Sequence, residues 1–463
     1  MAETRPRTPS PSPSDLTAGP SSTGLASFVE LGVPTVLADK LSGFGIASPF
    51  PIQTATLPDA LAGRDVLGRG KTGSGKTLAF VIPVLARLAA GSKQSRPGRP
   101  RALILAPTRE LVRQIHDTIT PLAAPLGLRS VTVFGGVGAG PQIDALRRGV
   151  DIVVACPGRL EDLMSSGKAH LDAVEITVLD EADHMADLGF LPVVKRLLDR
   201  TPKGGQRLLF SATLDNGIDV LVRRFLSNPI THSVDPENSP VSAMDHHVLH
   251  VANGDRLAVL VELTSAPGRT MVFTRTKHRA KQLTRQLNAA GVSAVEMHGN
   301  LAQNARTRNL EAFSTGRATA LVATDIAARG IHVDDVALVI HADPPIEHKA
   351  YLHRSGRTAR AGAEGTVVTL ATEEQRGAVR QLSRKAGINP TITSLRPGDP
   401  LLTKLAPGDR VLLSAAEIGA ALASTNAPAA PRERVPGGPP KRRRSTPGGA
   451  RNSSSRRGAV RSR

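Results

Sequence analysis

The sequence predicts an α/β protein with two tandem domains, each built on a parallel β-sheet. Short runs of Val, Ile, Leu and Ala alternate along the chain with longer segments of helical periodicity. Continuous apolar strands separated by helices are typical of a sheet whose two faces are both covered. Residues 227–240 interrupt this pattern with three prolines and several turn residues, after which the pattern resumes. A chain of 463 residues is also longer than one ordinary core requires.

Apolar runs of strand length define the two predicted sheets. The predicted strands of the first sheet are 65–68, 102–106, 131–134, 151–155, 176–180 and 207–211. The predicted strands of the second sheet are 270–273, 293–297, 319–324, 336–340 and 365–370. We therefore place the first domain at 25–230, a linker at 231–244 and the second domain at 245–392.

The two ends of the chain are predicted to lie outside these domains. Residues 1–24 are rich in Pro and Ser without periodicity, so we expect a disordered tail. Residues 393–425 are interpreted as an irregular extension that contains one helix within 411–424. Residues 426–463 are predicted to be a disordered basic tail, in which 431–463 hold eleven Lys and Arg side chains and one acidic residue.

The composition indicates a polyanionic partner. The formal net charge is +19 and the sequence pI is about 11.0. We expect the basic tail to add salt-sensitive affinity for this polyanion. The alternative is a tail that only improves solubility.

A single cysteine, Cys156, fits a reducing cytosol. The N-terminus lacks the apolar stretch of a signal peptide, and no apolar run approaches the roughly 18 residues of a membrane span. We therefore expect a cytoplasmic protein with no membrane contact.

The segment GKTGSGKT, residues 70–77, predicts a site for nucleotide phosphates. It fits the pattern G-x-x-x-x-G-K-[ST] and lies between a predicted strand and a predicted helix. Its glycines allow backbone N–H groups to turn inward around phosphate oxygens, and the helix that follows offers its positive dipole end. Lys76 adds a charge at the β- and γ-phosphates, and Thr77 can ligate Mg²⁺. The alternative is an ordinary glycine-rich turn.

Three acidic residues follow the predicted strand at 176–180. Within TVLDEADHMADLGF, residues 177–190, Asp180, Glu181 and Asp183 would repel one another without a positive species nearby. In nucleotide-hydrolysing folds, an acid at a strand end holds Mg²⁺ against the phosphates. We assign that role to Asp180, and we expect Glu181 to orient or deprotonate the attacking water. The alternative, a solvated turn that caps the next helix, suits Asp183 better than Asp180.

The motif DEAD after a strand, about a hundred residues beyond the phosphate loop, resembles the DEAD-box RNA helicases of bacterial type. The resemblance extends over about 25–390 and implies two tandem RecA-like domains. It implies an RNA-stimulated ATPase that uses ATP and Mg²⁺ to unwind short RNA duplexes or to remodel RNA–protein complexes. The implied partner is RNA, held mainly by its backbone with weak sequence preference. Ribosomal or RNA-decay assemblies are possible further partners. We expect the protein to be a monomer.

The resemblance also implies how the nucleotide is bound. The segment GIASPFPIQ, residues 45–53, is similar to the family's Q motif, in which a glutamine reads the adenine edge and an upstream aromatic residue stacks on the base. The implied ATP-binding residues are Phe28, Gln53, Gly73, Ser74, Gly75, Lys76, Thr77 and Asp325. Thr77 and Asp180 would hold Mg²⁺, largely through water.

Several further segments match family motifs that hold RNA, among them PTREL (107–111) and CPGRL (156–160). The implied RNA-binding residues are Pro107, Thr108, Arg109, Gly136, Gly158, Arg159, Arg275, Gln303, Arg306 and Thr324. SAT, residues 211–213, resembles the family's link between the ATP and RNA sites. Ser211 and Thr213 are therefore expected to hydrogen-bond the acids of DEAD.

The segment HRSGRTAR, residues 353–360, is expected to complete the active site. Arg357 and Arg360 are three positions apart, so on a helical turn both can point at the γ-phosphate. An arginine cluster could alternatively be a solvated basic surface. With Lys76, Asp180 and Glu181, these arginines form the implied catalytic set, which is complete only when the two domains close on ATP and RNA.

The chain departs from the family's pattern at three positions. Cys156 stands where threonine is usual and lacks a hydroxyl donor. His332 stands where an aspartate commonly touches the ribose, and Ala359 replaces a frequent glycine.

Two other functions and one other site are compatible with parts of the sequence. A non-catalytic RNA annealer that works through the basic tail would be marked by a broken catalytic motif, and the sequence shows none. A related translocase acting on DNA is disfavoured by the Q motif and the DEAD motif. The segment DHHVLH, residues 245–250, could bind a metal, but its alternating apolar positions favour a plain strand.

Overall fold

A computed structural model describes residues 26–70, 73–213, 216–234, 244–328, 333, 336–358 and 365–423. The predicted tails at 1–24 and 426–463, together with Arg360, His332 and Ala359, lie outside the described residues.

Within the described residues the first sheet has seven strands, all parallel, in the order β3-β4-β2-β5-β6-β1-β7. Its strands are β1 Val66–Arg69, β2 Ala102–Leu105, β3 Ser130–Val133, β4 Ile152–Ala155, β5 Ile176–Leu179, β6 Gln206–Ser211 and β7 Ile230–Ser233. The helices of this part of the chain are α1 Thr35–Gly43, α2 Pro51–Leu61, α3 Lys76–Ala90, α4 Arg109–Ala123, α5 Gly140–Arg147, α6 Pro157–Ser165, α7 Ala182–Asp187, α8 Leu191–Leu198 and α9 Asn216–Phe225. A 3₁₀ turn at Ala124–Leu126 follows α4.

The second sheet repeats this topology, and the part of it that the structure describes has seven parallel strands in the order β10-β11-β9-β12-β13-β8-β14. Its strands are β8 Met244–His250, β9 Arg269–Thr274, β10 Ala294–Met297, β11 Ala320–Thr324, β12 Val336–His341, β13 Gly365–Ala371 and β14 Thr391–Ser394. The accompanying helices are α10 Arg256–Thr264, α11 Lys277–Ala289, α12 Gln303–Ser314, α13 Asp325–Ala328, α14 His348–Ser355, α15 Arg376–Ala386, α16 Pro400–Leu405 and α17 Ala415–Leu422, with a 3₁₀ turn at Glu373–Gln375. The equivalent strand orders confirm the predicted pair of tandem RecA-like domains. None of the helices in the described part of the chain combines the length and the apolar character needed to cross a membrane.

Both faces of each sheet are buried, as the continuous apolar strands predict. Along β2, Ile104 packs into one apolar cluster, whereas Leu103 and Leu105 pack into the cluster on the opposite face. This division follows from the alternation of side chains along a strand. The polar motif segments therefore lie beyond the strand ends, and Asp180 comes immediately after β5 and Pro107 soon after β2. The carboxyl ends of parallel strands are where α/β folds bind ligands.

The predicted linker contains a strand that the sequence analysis missed. Ile230–Ser233 forms β7, which pairs in parallel with β1, so a domain boundary at 230 cuts through the edge of the first sheet. As an edge strand it alternates between half-buried and exposed residues, and it therefore lacks the apolar run that marks a central strand. Residues 235–243, the remainder of the proline-rich segment, lie outside the described residues.

The extension at 393–425 is not irregular in its described part, which ends at 423. Beyond β14, the helices α16 and α17 follow, and α17 confirms the predicted helix within 411–424. Leu395, Leu402 and Leu405 belong to an apolar cluster of the second sheet, and the backbone N–H of Leu413 donates to the carbonyl of Gly291 at 2.7 Å. This segment therefore covers part of the second domain. Its apolar residues are too widely spaced for the pattern to be evident from sequence.

Candidate active site

The phosphate loop joins β1 to α3 and has the backbone shape its glycines predict. Gly73 and Gly75 have φ of +88° and +89°, a region that side chains disfavour. A Cβ atom at Gly75 would lie 2.6 Å from the Nε2 atom of Gln53, so only glycine fits there. Lys71 and Thr72 lie outside the described residues.

Two polar groups of this loop fit a phosphate ligand. The Oγ atom of Ser74 is buried and has no hydrogen-bond partner among the described residues. The Lys76 ammonium is also buried and donates to the carbonyl of Gly70 at 2.5 Å, at the start of the loop. An unsatisfied hydroxyl, a buried cation and the N-terminus of α3 together form a set of donors that matches phosphate oxygens. Thr77, the next residue of α3, is half-buried beside them.

Gln53 links helix α2 to the phosphate loop. Its Oε1 accepts a hydrogen bond from the Phe50 backbone N–H at 2.9 Å, and its Nε2 donates to the Gly75 carbonyl at 2.9 Å. Phe28, the expected stacking residue, is 3% exposed and packs into an apolar cluster of the first domain. Adenine recognition by Gln53 and Phe28 stays a prediction.

Asp180 is a buried acid at the end of β5, with 3% of its surface exposed. Burial, followed by the charge of Glu181, raises the pKa of Asp180 to about 7, although the charge of Lys76 lowers it. The Asp180 carboxylate and the Thr77 hydroxyl supply only oxygen ligands, which suit Mg²⁺. The residues present therefore fit a divalent cation, whose charge would favour the ionised form of Asp180.

Glu181 has a left-handed backbone, with φ of 50°. A non-glycine residue in this region carries strain of about 1 to 3 kcal/mol, and such residues cluster at functional sites. Glu181 precedes α7, and its Oε2 atom lies 3.1 Å from Nδ1 of His184.

The expected link between the DEAD acids and SAT runs through Asp183. Its Oδ2 atom accepts hydrogen bonds from the Thr213 backbone N–H at 2.9 Å and from the Thr213 hydroxyl at 3.0 Å. The Asp183 N–H donates to the Ser211 hydroxyl at 3.3 Å. Because Asp183 is buried, the interpretation of this residue as a solvated helix cap is wrong.

The hydrogen bonds between Asp183 and Thr213 should contribute to the stability of the protein. Thr213→Val keeps the side-chain shape and removes one of the two hydrogen bonds that Thr213 donates to Asp183, so the free energy of unfolding should fall by about 1 to 3 kcal/mol. Denaturant unfolding followed by circular dichroism measures this change. Thr120→Val, which removes an exposed hydroxyl bonded to the His116 carbonyl, is the control and should change stability by less. Equal effects of the two substitutions would contradict the assignment.

Three segments of the predicted RNA surface converge beyond β2, β3 and β4. A Cβ atom at Gly136 would lie 2.0 Å from an Nη atom of Arg109, and the guanidinium of Arg159 donates to the Val137 carbonyl at 3.2 Å. Thr108 caps α4 by accepting from the Leu111 N–H at 3.2 Å. Pro107, buried, precedes this cap, and Gly158 lies in the first turn of α6. Two arginine side chains and glycine-rich backbone thus lie together, and both supply groups that contact phosphates in nucleic-acid complexes.

Two other predicted RNA residues, Gln303 and Arg306, lie at a buried contact between the two domains. The Arg306 Nε donates to the Glu110 carboxylate at 2.8 Å, and the Gln303 amide donates to the same oxygen at 2.9 Å. The Arg109 guanidinium donates to Gln303 Oε1 at 2.9 Å. Glu110, Gln303 and Arg306 are each at most 9% exposed. The RNA contacts of Gln303 and Arg306 stay predictions.

Glu110 is a functional candidate that the sequence analysis did not single out. Burial alone would raise its pKa, but the hydrogen bond and charge of Arg306, together with hydrogen bonds from Gln303 and the backbone, hold the pKa of Glu110 below its usual value. Burial, and then the charge of Glu110, raise the pKa of Cys156 to about 12, so this thiol stays neutral. No sequence signal identified Glu110, because its donors Gln303 and Arg306 lie 193 and 196 residues further along the chain.

In the second domain, Arg354 was also missed. Its guanidinium forms a two-pronged pair with Asp325, at 2.5 and 2.8 Å, and it is 2% exposed. Asp325, the expected nucleotide ligand, is therefore held in place by the turn that precedes Arg357. Arg357 is buried after α14 and donates from Nε to the His353 carbonyl at 3.3 Å. Its expected partner Arg360 lies outside the described residues.

The remaining expected residues of the second domain lie at strand ends. Arg275 is exposed after β9, with its N–H donating to the Asp343 carboxylate at 3.0 Å. Thr324 is the half-buried last residue of β11. The segment DHHVLH forms most of β8, as expected, and among the described residues no cluster of His, Cys, Asp and Glu could hold a metal ion.

Comparisons with known proteins agree with this arrangement. Residues 50–220 match the DEAD/DEAH box helicase family, and residues 255–362 match the helicase conserved C-terminal domain. The chain is 39% identical to the ATP-dependent RNA helicase RhlB of Pseudomonas putida, over 76% of this chain and 90% of that protein. It is 40% identical to the chloroplastic DEAD-box ATP-dependent RNA helicase 3B of Zea mays, over 78% of this chain but 49% of the relative, so it spans about half that protein's length.

The fold of this chain is also similar to that of a solved helicase structure. The S. cerevisiae protein Dbp5 bound to RNA and ADP BeF3 superposes with a TM-score of 0.71 at 26% identity, over 82% of this chain and 99% of that one.

Proposed function

This chain belongs to the DEAD-box helicase family, and we propose that it is an RNA-stimulated ATPase that locally unwinds short RNA duplexes or remodels RNA–protein complexes. One observation carries the proposal. The phosphate loop, the acids after β5 and the Arg109–Arg159 cluster all follow strands of one sheet at the same edge. The buried Ser74 hydroxyl of this loop has no hydrogen-bond partner among the described residues. A triphosphate site and a backbone-recognition surface therefore share one rigid support.

Each proposed active-site residue has its own role in ATP hydrolysis. Lys76 and the loop N–H groups hold the phosphates, and Glu181 orients the attacking water and accepts its proton. Asp180 and Thr77 would hold Mg²⁺, which when bound offsets charge on the β- and γ-phosphates. Arg357 and Arg360 would offset the charge that develops on the γ-phosphate. The strained backbone of Glu181 supports a fixed direction for its carboxylate.

RNA binding is proposed to favour the same closed arrangement that ATP favours. Arg109, Gly136 and Arg159 would hold the RNA backbone from the first domain, while Arg275 and Thr324 would hold it from the second. Such coupling is reciprocal, so each ligand raises the affinity for the other. The buried Glu110–Arg306 contact supports this proposal, because it joins a segment of the predicted RNA surface to the second domain.

The partner is proposed to be RNA in the cytoplasm, with the chain acting as a monomer near ribosomal or RNA-decay assemblies. The net charge of +19 supports a polyanionic partner, and the single cysteine suits a reducing compartment.

Comparison of nucleic acids as ATPase stimulators tests the proposed function. Single-stranded RNA should raise the rate of phosphate release, and DNA of the same sequence should raise it much less. Equal stimulation by DNA would favour a DNA translocase. RNA strand annealing that needs no ATP, in a chain without RNA-stimulated hydrolysis, would favour an annealer.

A further inference from the structure

A groove on the second domain lies between α15 and the edge of the sheet formed by β8 and β14. We call it the α15 groove. It has a volume of about 410 Å³, and its polar lining comes from His250, Arg376, Arg380, Ser383, Arg384 and Asn389. The strand β14 ends the sheet, since β8 is its one strand neighbour among the described residues. The groove is separate from the proposed ATP site, which uses loops of other strands.

The arginines of the α15 groove form a row of positive charge. Arg376, Arg380 and Arg384 are four residues apart, so they follow one face of the helix with a rise of about 6 Å between them. Arg376 pairs with Glu373 at 2.8 Å, in an exposed contact. Arg380 and Arg384 are exposed and have no ion pair within the described part of the chain. Like charges at this spacing repel one another, and a chain of regularly spaced anions would relieve that repulsion.

His250 adds a hydrogen-bonding group to the groove wall. It is 7% exposed, and its Nδ1 atom is buried without a partner among the described residues. Burial, and then the charge of Arg376, lower the pKa of His250, so the ring is neutral near pH 7. The Nδ1 atom of the neutral ring accepts a hydrogen bond when the ring proton is on Nε2, and among the described residues it has no donor. A ribose 2′-hydroxyl is such a donor and stands beside phosphates in RNA, and DNA lacks it.

The groove lies close to the proposed RNA surface. A second cavity, of about 290 Å³, lies along the other side of α15 and is lined by Arg275, Ile346 and Lys385. Val379 on the inner face of α15 lines both cavities, and Lys385 is adjacent in sequence to Arg384. Arg275 is one of the residues proposed to hold RNA. A strand leaving that residue would therefore meet basic side chains on both sides of α15.

We propose that the α15 groove binds the sugar–phosphate backbone of a single-stranded RNA flank that leaves the main RNA site past Arg275. This inference rests on the proposed function, since it takes RNA as the ligand. The groove raises the affinity for substrates that have a single-stranded tail and takes no part in hydrolysis. The arginine row contacts phosphates, and His250 accepts from a 2′-hydroxyl.

The test is made in the full chain with the double variant Arg380→Gln, Arg384→Gln. The control is Lys281→Gln, Arg285→Gln, which removes the same charge from two exposed positions four residues apart on α11 of the same domain. Binding is measured by fluorescence anisotropy with a labelled RNA duplex that is blunt, has an RNA tail or has a DNA tail. Phosphate release is measured with saturating short RNA.

The Arg380–Arg384 variant should bind the RNA-tailed duplex about three- to tenfold more weakly than the unchanged protein does. The slope of log Kd against log salt concentration should decrease by about 1.4, because two phosphate contacts are lost and each contact of a single strand contributes about 0.7. Affinity for the blunt duplex and the maximal hydrolysis rate should not change, and the control variant should bind like the unchanged protein.

Three results would overturn parts of the proposal. Unchanged affinity for the RNA tail, or an equal loss in the control variant, would remove the groove as an RNA site. Equal affinity of the unchanged protein for the RNA tail and the DNA tail would remove the role of His250. Loss of binding to a phosphoserine-rich peptide, with RNA binding intact, would assign the groove to an acidic protein partner. Absence of RNA-stimulated hydrolysis in the unchanged protein would instead contradict the proposed function, so the two failures are distinguishable.

Discussion

Glu181→Gln should lower RNA-stimulated ATP turnover by about a hundred- to ten-thousand-fold, the usual contribution of a general base. Glutamine has nearly the shape of glutamate, so the left-handed backbone at this position and the start of α7 should be retained. The change removes the negative charge and the capacity to accept a proton from water. Binding of ATP and RNA should persist, because neither the phosphate loop nor the arginine cluster is altered.

Phosphate release under steady-state conditions measures this effect, and RNA binding with and without ATP shows whether the variant still forms the complex. We expect the variant to hold RNA longer in the presence of ATP, since hydrolysis no longer ends the closed state. Asp187→Asn, which removes a charge from an exposed position of the same helix, should leave turnover close to normal. Multiple turnovers at the normal rate in Glu181→Gln would remove Glu181 from the catalytic set.

Arg306→Ala should destabilise the contact between the domains by about 3 to 5 kcal/mol, because it leaves the Glu110 carboxylate buried without its cation. Glu110 is 6% exposed and would retain the Gln303 amide as its donor from the second domain. If this contact belongs to the working closed state, kcat/KM for RNA should fall steeply. Binding of ATP in the absence of RNA should change little, since the phosphate loop lies in the first domain.

A double-mutant cycle with Glu110→Ala separates this role from a direct contact with RNA. Loss of both partners removes the uncompensated charge, so the double variant should be less impaired than the two single effects added together. Arg308→Ala, at an exposed position on the same helix, is the control. Strict additivity of the two substitutions, together with a lower salt dependence of RNA binding in Arg306→Ala, would assign Arg306 to the RNA instead.

Local sequence patterns were sufficient for most of the sheets and for the glycine positions of the phosphate loop. The central strands are fully buried, so their apolar runs stand out, and β2, β4 and β5 lie where the runs predict them. The phosphate loop was recognisable because its backbone shape demands glycines at fixed spacing. In both cases the physical cause acts over a few neighbouring residues.

The elements that were missed depend on neighbours distant in sequence. The edge strands β7 and β14 have one strand neighbour each and several exposed residues, so they carry no clear apolar pattern. The segment beyond β14 becomes structured by covering the second domain, with scattered leucines that are too sparse to predict a core.

The sequence by itself determined the fold class, the phosphate loop and the supply of acids and arginines, because strand periodicity and glycine conformation are local properties. Only the tertiary structure decided which charges meet. It paired Glu110 with Arg306 across 196 residues, joined Asp325 to Arg354, and directed the SAT hydrogen bonds to Asp183. A buried charge must find its partner wherever the chain packs, and that choice is made by the three-dimensional arrangement of both sheets.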